Sequence, residues 1–176
     1  MSTRSDSATL DMLAIVGLVA GAVFGMAGTL VSQASLRQTF WAIDGVGIVV
    51  ATTLLAIRFL RGGNDAVAAG FLVFAIGESL LVAGIAAGLE GSVASFGGGV
   101  ALWAAGLLLI SAPTTLPTWV RLAGLAAALL FALVAGRIFW GEQLLPTATP
   151  LPFFAYPFLV LTFVGWIVTL LKGRPA

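Results

Sequence analysis

Three charged side chains interrupt long apolar stretches of this sequence, namely Asp44, Glu78 and Arg137. A charge near the centre of a bilayer costs at least about 2.5 kcal/mol, so such residues face the interior of a helix bundle and form ion pairs, proton relays or solute paths. These three residues are therefore the ones whose chemistry could carry a function.

Asp44 and Arg137 are predicted to form an ion pair within the membrane. At a helical rise of about 1.5 Å per residue, Asp44 lies roughly 9 Å from the middle of the second apolar stretch and Arg137 roughly 10 Å from the middle of the fifth. Both displacements point towards the same side of the bilayer. Opposite charges at one depth can neutralise each other, so we interpret this pair as structural.

Glu78 lies at the centre of the third apolar stretch, and no Lys or Arg lies at its depth. Burial away from water favours the neutral form of such a carboxyl group, so we expect it to be protonated. Five residues beside it or at the middle of other spans could hydrogen-bond to it: Ser79, Thr52, Thr53, Trp103 and Thr162. The sequence therefore predicts a polar site at the midplane of the bundle.

Residue types that are missing exclude most catalytic chemistry. The sequence contains no Cys and no His, which excludes disulfides, thiol redox chemistry, zinc sites and histidine-ligated haem. Lys172 is the only lysine, so no phosphate-binding Walker loop is present. An aspartyl protease in the membrane would need two embedded Asp residues, and only Asp44 qualifies. We expect no enzyme activity, no cofactor and no metal.

Composition identifies the kind of element that must position these side chains. Hydrophobic residues make up 60% of the chain and charged residues 9%, and the mean hydropathy is +1.13. A soluble domain of this size would need far more polar surface. No polar block could fold separately in water, so residues 1–176 are predicted to form one transmembrane domain. With a net charge of +1 and no basic stripe, nucleic-acid binding is not expected.

Six apolar stretches are each long enough for a helix of about 20 residues, which crosses roughly 30 Å of hydrocarbon. The predicted spans cover residues 10–31, 40–60, 65–89, 93–111, 120–140 and 153–171. Asn64 or Asp65 would cap the third span. The sequence thus predicts an all-α membrane protein, a bundle of six transmembrane helices that contacts the lipid bilayer.

The fourth span contains a feature that could break it. Gly97, Gly98 and Gly99 are consecutive, and each weakens a helix by about 1 kcal/mol relative to Ala. The connection before this span is also very short. An alternative with five spans and a long re-entrant element therefore stays open.

The distribution of basic residues predicts that both termini are cytoplasmic. The basic residues on the side of the termini are Arg4, Arg58, Arg61, Arg121, Lys172 and Arg174, and those on the other side are Arg37 and Arg137. Trp41, Trp140 and Tyr156 would form an aromatic belt at the outer interface. The preference for Ala, Gly and Arg fits GC-rich codons, which indicates a multi-pass protein of a bacterial cytoplasmic (inner) membrane.

Two series of glycines predict close contacts between helices. The glycines of the first span that fall four apart are Gly17, Gly21 and Gly25, and those of the third span with a period of seven are Gly70, Gly77 and Gly84. Small residues at such spacings let helix backbones approach closely. Both series would pack helices within one bundle, although one of them could face a second copy of the protein.

Two functions remain open from the sequence. One is a non-enzymatic accessory or scaffold subunit of a membrane complex or homo-oligomer, in which Glu78 is a neutral, satisfied hydrogen-bond donor. This reading is favoured slightly, because a carrier usually shows more than one polar residue along its path. The alternative is a small proton-coupled transporter or exporter that exchanges a proton on Glu78 for a small polar or cationic solute. Three spans followed by three would fit the inverted repeats of transporters.

The surroundings of Glu78 separate these two functions. A water-filled cavity that reaches the carboxyl group from one side favours transport. A dry, fully packed carboxyl group favours a scaffold.

Overall fold

The chain folds almost entirely into helices. The structure is a computed structural model that describes the backbone of residues 3–173 and the side chains of residues 8–173, and all regular elements in this range are helical. The six long helices are α1 (Thr3–Leu30), α2 (Ala34–Arg61), α3 (Asp65–Gly84), α4 (Val93–Ser111), α5 (Thr118–Phe139) and α6 (Tyr156–Lys172). The predicted all-α fold class is confirmed.

Short helical elements extend two of these helices. A 3-10 turn at Ile85–Ala87 and a short helix at Gly88–Gly91 follow α3, and a 3-10 turn at Phe153–Ala155 precedes α6. With these extensions, all six helices are long and apolar enough to cross a membrane. Large apolar side chains such as Val46 and Leu129 are exposed on their outer faces. The chain is therefore a polytopic membrane protein whose outer faces contact lipid.

The observed helix bounds differ from the predicted spans most clearly at α1, α2 and α3. α1 begins at Thr3 rather than at residue 10. α2 begins at Ala34 rather than at residue 40, because the polar residues after Gln33 form helical turns. The first of these turns is closed by the Arg37 amide, which donates to Gln33 O at 3.0 Å. α3 ends at Gly84 rather than at residue 89, and the chain then turns at Gly88, whose φ of 74° favours glycine.

The glycine triplet does not break the fourth helix. α4 is continuous from Val93 to Ser111 and includes Gly97, Gly98 and Gly99. Neighbouring side chains fill the space that a methyl group would occupy: a Cβ atom on Gly97 would lie 2.6 Å from Ile138, and one on Gly99 would lie 2.6 Å from Leu81. Packing therefore compensates for the weak helix propensity of glycine, and the six-span reading stands over the five-span one.

The six helices form a closed ring. Each helix packs antiparallel against the next one in the chain, and α6 packs against α1. One end of the ring, here called the cavity end, carries the α1–α2, α3–α4 and α5–α6 connections. The opposite end, the terminal end, is where α1 begins and α6 finishes. Which end faces the cytoplasm stays a prediction, as does the inverted repeat. Arg174 and the side chain of Arg4, on which the orientation partly rests, lie outside the described residues.

The first glycine series lies against α2. A Cβ atom on Gly17 would lie 2.4 Å from Gly47 O, and one on Gly21 would lie 2.1 Å from the Ile48 side chain. At Gly25 the nearest atom is a carboxyl oxygen of Asp44, 2.9 Å away. These glycines let α2 approach α1 closely enough for Asp44 to rest on the α1 backbone.

The second glycine series lies against α4. A Cβ atom on Gly70 would lie 2.8 Å from Gly106 O, and one on Gly77 would lie 2.7 Å from Gly99 O. A Cβ atom on Gly84 would meet Ser95 Oγ at 2.0 Å. The backbones of α3 and α4 are therefore in direct contact along most of their length, and α3 is held at a fixed height beside α4.

Aromatic side chains fill the centre of the ring below the midplane. This group, here called the aromatic floor, consists of Phe71, Phe74, Trp103, Phe131, Phe163 and Trp166, all of them buried. Phe74 stacks on Trp103 with ring centroids 5.2 Å apart, and Trp166 meets Phe71 edge to face at 4.8 Å. Since α3 and α6 meet here across the ring, the floor closes the bundle towards the terminal end.

Basic side chains hold the terminal end together. Arg58 of α2 forms an ion pair with the buried Asp11 of α1. Arg121 of α5 donates to Ser111 O at 3.0 Å and to Ala112 O at 2.9 Å, which caps α4. Asn64 does not cap α3 with its side chain; it donates to Gly62 O at 3.0 Å instead.

Candidate functional site

A cavity of about 130 Å³ lies inside the ring at the cavity end. Its mouth is lined by residues at the connections between helices, such as Gly88, Pro146 and Ala34 at the start of α2. It extends inwards to Glu78 and stops at Trp103 and Phe163, which belong to the aromatic floor. The cavity is therefore open at one end and closed at the other.

Glu78 lies at the inner end of this cavity. Its side chain is only 3% exposed, and its Oε2 atom has no hydrogen-bond partner among the described residues. Gly45 of α2 provides the space beside it, since a Cβ atom there would lie 3.2 Å from Glu78 Oε1. A buried acceptor without a partner costs about 1–3 kcal/mol, so this oxygen is suited to bind something that enters the cavity.

Trp103 is the second unsatisfied polar group at the inner end. The ring stacks on Phe74, is 6% exposed and lines the cavity. Its Nε1–H lies near the Glu78 carboxyl group, yet the two do not meet the geometry of a hydrogen bond, and Nε1 has no other partner in the described part of the chain. A donor and an acceptor thus face the same space.

Asp44 lines the same cavity nearer to its mouth. It is half-buried against Gly21 and Gly25, and it is close enough to Glu78 for their charges to interact. No cation within residues 8–173 forms an ion pair with it. The site therefore contains two carboxyl groups, one buried and one reached from the mouth.

The predicted ion pair between Asp44 and Arg137 is absent, and this prediction is wrong. Arg137 is exposed near the end of α5, and its Nε donates to Glu142 Oε2 at 2.6 Å. Glu142 follows in the next connection, so it can reach Arg137 without a tertiary contact. In the ring, α5 packs between α4 and α6, whereas Asp44 belongs to α2. Equal depth in the membrane did not imply proximity.

Four of the residues predicted for the midplane site do not contribute to it. Thr53 and Ser79 are exposed on the outer surface, and the Ser79 hydroxyl donates to Ala75 O at 2.9 Å. Thr52 and Thr162 are fully buried, but they donate to carbonyls of their own helices, Ile48 O at 2.7 Å and Phe158 O at 2.8 Å. Of the predicted set, only Glu78 and Trp103 meet in the cavity.

Sequence reasoning gave Tyr156 and Arg37 no role in the site, but both line the cavity. The Tyr156 hydroxyl donates to Pro146 O at 2.8 Å, which ties the α5–α6 connection to the start of α6. One terminal nitrogen of Arg37 donates to Val31 O at 2.8 Å and to Ser32 O at 3.2 Å, where α1 ends. The polar stretch before residue 40 was the available signal for Arg37.

Most of the remaining wall is apolar, and its other polar residues include Thr29, Gln38, Ser92 and Ser95. No group of three or more Asp, Glu, His or Cys side chains that could hold a metal occurs among the residues described. Two carboxyl groups in an apolar, aromatic surround can bind a positive charge or hold a proton. In comparisons with protein-family models, curated proteins and solved structures, nothing matches this chain. The geometry of the site is therefore the basis for assigning a function.

Proposed function

We propose that this protein is a small carrier that exchanges a proton on Glu78 for a polar or cationic solute. One observation supports this above all: the cavity is open at one end and reaches a buried carboxyl group that has no hydrogen-bond partner in the described structure. Ionisable residues inside membrane bundles commonly belong to such proton and solute paths.

The surroundings of Glu78 fit a scaffold less well. A carboxyl group that held helices in register would donate its proton to a neighbouring acceptor, and Oε2 has none in the part of the chain described. The glycines that would form scaffold surfaces are also occupied within the bundle. Gly17 and Gly21 lie against α2, and Gly70 and Gly77 lie against α4.

The exchange balances in both charge and protons. A protonated Glu78 releases its proton to the water of the cavity as a cation binds the carboxylate, so the occupied site carries the same net charge as the protonated one. A carrier must then expose this site to the other side of the membrane. In the present arrangement the aromatic floor blocks that side, so a second arrangement would have to open it.

Alternating exposure can be tested without knowing the solute, because the chain contains no cysteine. Val82 lines the cavity, whereas Thr52 is fully buried one turn deeper than Ile48. Single variants Val82→Cys and Thr52→Cys in vesicles of known orientation would be treated with a membrane-impermeant maleimide from each side. A carrier should show labelling of residue 82 from the cavity end and of residue 52 from the terminal end.

A static scaffold gives a different pattern. Residue 82 would again be labelled from the cavity end, but residue 52 would be protected from both sides. That result, obtained with folded protein, would exclude the carrier.

A further inference from the structure

We infer that the cavity binds a monovalent organic cation whose apolar body is about the size of one aromatic ring, with its ammonium group at Glu78 and Asp44. The role of this ligand as a transported solute rests on the proposed function. The binding itself does not, and it can be tested separately.

The charges of the lining select a cation over an anion. Asp44 and Glu78 are both acidic, and Arg37 is the only basic residue that lines the cavity, on the described side chains. Arg37 lies at the mouth, where one terminal nitrogen donates to two carbonyl groups at the end of α1 and the guanidinium lies 6.0 Å from the centre of the Trp41 ring. Its Nε has no partner among the described residues, but it lies at the mouth and not at the inner end. An anion that entered the cavity would pass Asp44 and meet Glu78 at the inner end, where no basic side chain lies among the described residues.

Two unpartnered polar groups show that the inner end is built for a ligand. Glu78 is 3% exposed and Trp103 is 6% exposed, and both line the cavity with a polar atom that has no partner among residues 8–173. A primary ammonium group can donate several hydrogen bonds, so it would satisfy Glu78 Oε2. Once Glu78 is ionised, its carboxylate can also accept from the nearby Trp103 Nε1–H, which is a donor and cannot bind the cation itself.

The donor set argues against inorganic cations. Calcium takes six to eight oxygen ligands, and magnesium requires a nearly octahedral shell. This cavity supplies two carboxyl groups, and its hydroxyl and amide side chains already donate to backbone carbonyl groups. These side chains are Thr29, Gln38, Ser92 and Ser95. The other lining residues include Phe96, Leu159 and Phe163, which suit an apolar body. An organic cation makes use of both kinds of surface.

The size of the cavity limits that body. Its volume is about 130 Å³, close to that of engineered apolar cavities of about 150 Å³ that bind benzene. A single ring with a short ammonium arm therefore fits, and a polycyclic body does not unless the bundle opens.

The test measures binding of radiolabelled benzylammonium to the full chain in lipid nanodiscs, with empty nanodiscs to subtract partitioning into lipid. Benzyl alcohol has nearly the same shape without the charge, and benzoate carries the opposite charge. We expect saturable binding of benzylammonium, at least about tenfold weaker binding of benzyl alcohol, as for loss of a charge-assisted contact, and no binding of benzoate. Millimolar calcium should not displace the ligand.

Variants identify the site. Glu78→Gln and Asp44→Asn should each weaken benzylammonium binding by about tenfold or more, since each removes a carboxylate that can pair with the bound cation. Glu90→Gln makes the same chemical change at the cavity end, on an exposed residue that does not line the cavity, and should bind like the wild type. If either cavity variant fails to fold, the comparison of benzylammonium, benzyl alcohol and benzoate on the wild-type chain still tests whether the cavity selects an organic cation.

Several results would overturn the inference: benzyl alcohol binding as tightly as benzylammonium, displacement by calcium, or unchanged binding in both folded cavity variants. None of them would affect the carrier proposal, which the labelling of residue 52 tests without any ligand. Conversely, selective benzylammonium binding with residue 52 always protected would leave a cation-binding protein that is not a carrier.

Discussion

Glu78 and Asp44 share one cavity but differ in their access to water. Glu78 is buried at the inner end, whereas Asp44 is half-buried and lies nearer to the mouth. An isolated charge is unfavourable in an apolar environment, so the inner carboxyl group is the one suited to hold a proton until a cation replaces it. The outer one is suited to attract the cation as it enters. We therefore assign the proton exchange to Glu78 and cation attraction to Asp44.

This division predicts the effect of Glu78→Gln on proton release. Glutamine keeps the shape of the side chain but cannot ionise, so addition of benzylammonium to weakly buffered protein should release no proton. The midpoint of thermal unfolding in detergent should change by only a few degrees, because about 1 kcal/mol corresponds to roughly 2–4 °C in a chain of this length. A pH-sensitive dye and a melting curve measure the two quantities.

Asp44→Asn and Glu90→Gln complete this experiment. Asp44→Asn should weaken binding but still release a proton at saturating benzylammonium, and Glu90→Gln should match the wild type. Wild-type proton release from Glu78→Gln would show that another group carries the exchanged proton.

At the scale of elements, glycine contacts set the distances between helices and thereby the shape of the cavity. The α1–α2 contact at Gly25 places Asp44, and the α3–α4 contact at Gly77 holds the α3 turn that carries Glu78 beside Trp103. Close backbone approach is the usual role of small residues in membrane helices. The position of each carboxyl group therefore depends on a glycine of its own or the neighbouring helix.

Gly70→Ala tests this dependence with a matched control. The new methyl group would lie 2.8 Å from the backbone oxygen of Gly106, which cannot move aside as a flexible side chain can. We expect a loss of about 1–3 kcal/mol in unfolding free energy, as is typical for overpacking. Gly136→Ala makes the same change in α5, where no neighbour lies within 4 Å of the added atom. It should be neutral or stabilising, since Ala favours helices.

Unfolding in denaturant and detergent would measure both variants. Equal stability of Gly70→Ala and Gly136→Ala would mean that the α3–α4 contact is looser than the structure indicates.

The sequence predicted the six helices well, because the apolar stretch that indicates each helix can be recognised from neighbouring residues alone. It predicted depth too, since counting from the middle of each span brought Glu78 and Trp103 to one level. The prediction failed on the direction in which each side chain points around its helix axis. Thr53 follows Asp44 by nine residues, which is about 2.5 helical turns, so the two point to opposite faces. Only one of them could face the cavity.

The order of helices around the ring was the other missing quantity. The predicted Asp44–Arg137 pair needed α2 beside α5, and the helices pack in chain order instead. A partner five residues away, Glu142, was available to Arg137 in every arrangement of the bundle. Hydropathy and charge counts carry no information on which spans are neighbours.

At the scale of the whole molecule, the two ends of the ring differ. The cavity end is open down to Glu78, and the terminal end is closed by the aromatic floor and by contacts beyond it. The ion pair between Asp11 and Arg58 links α1 and α2 there, and Arg58 also lies close to the end of α6 at Gly173. The pair is therefore positioned to stabilise the arrangement that is open at the cavity end only.

Asp11→Asn should shift the balance between the two arrangements of a carrier. Asn removes the charge that holds Arg58, while Arg58 remains about a third exposed and can be solvated. Solvent screening limits the effect to about 1 kcal/mol, or up to about fivefold in population. In the Asp11→Asn background, residue 52 as cysteine should label faster from the terminal end, and residue 82 as cysteine should label more slowly from the cavity end.

The opposite signs at the two positions distinguish a shift from simple loosening. A destabilised bundle would label faster at both cysteines, whereas a shifted equilibrium must lower one rate as it raises the other. Asp65→Asn is the matched control, because Asp65 is exposed at the same end and no ion pair links it to another helix among the described residues. Unchanged labelling at both cysteines in Asp11→Asn would show that the ion pair does not control the closed end, and the aromatic floor alone would then have to account for its closure.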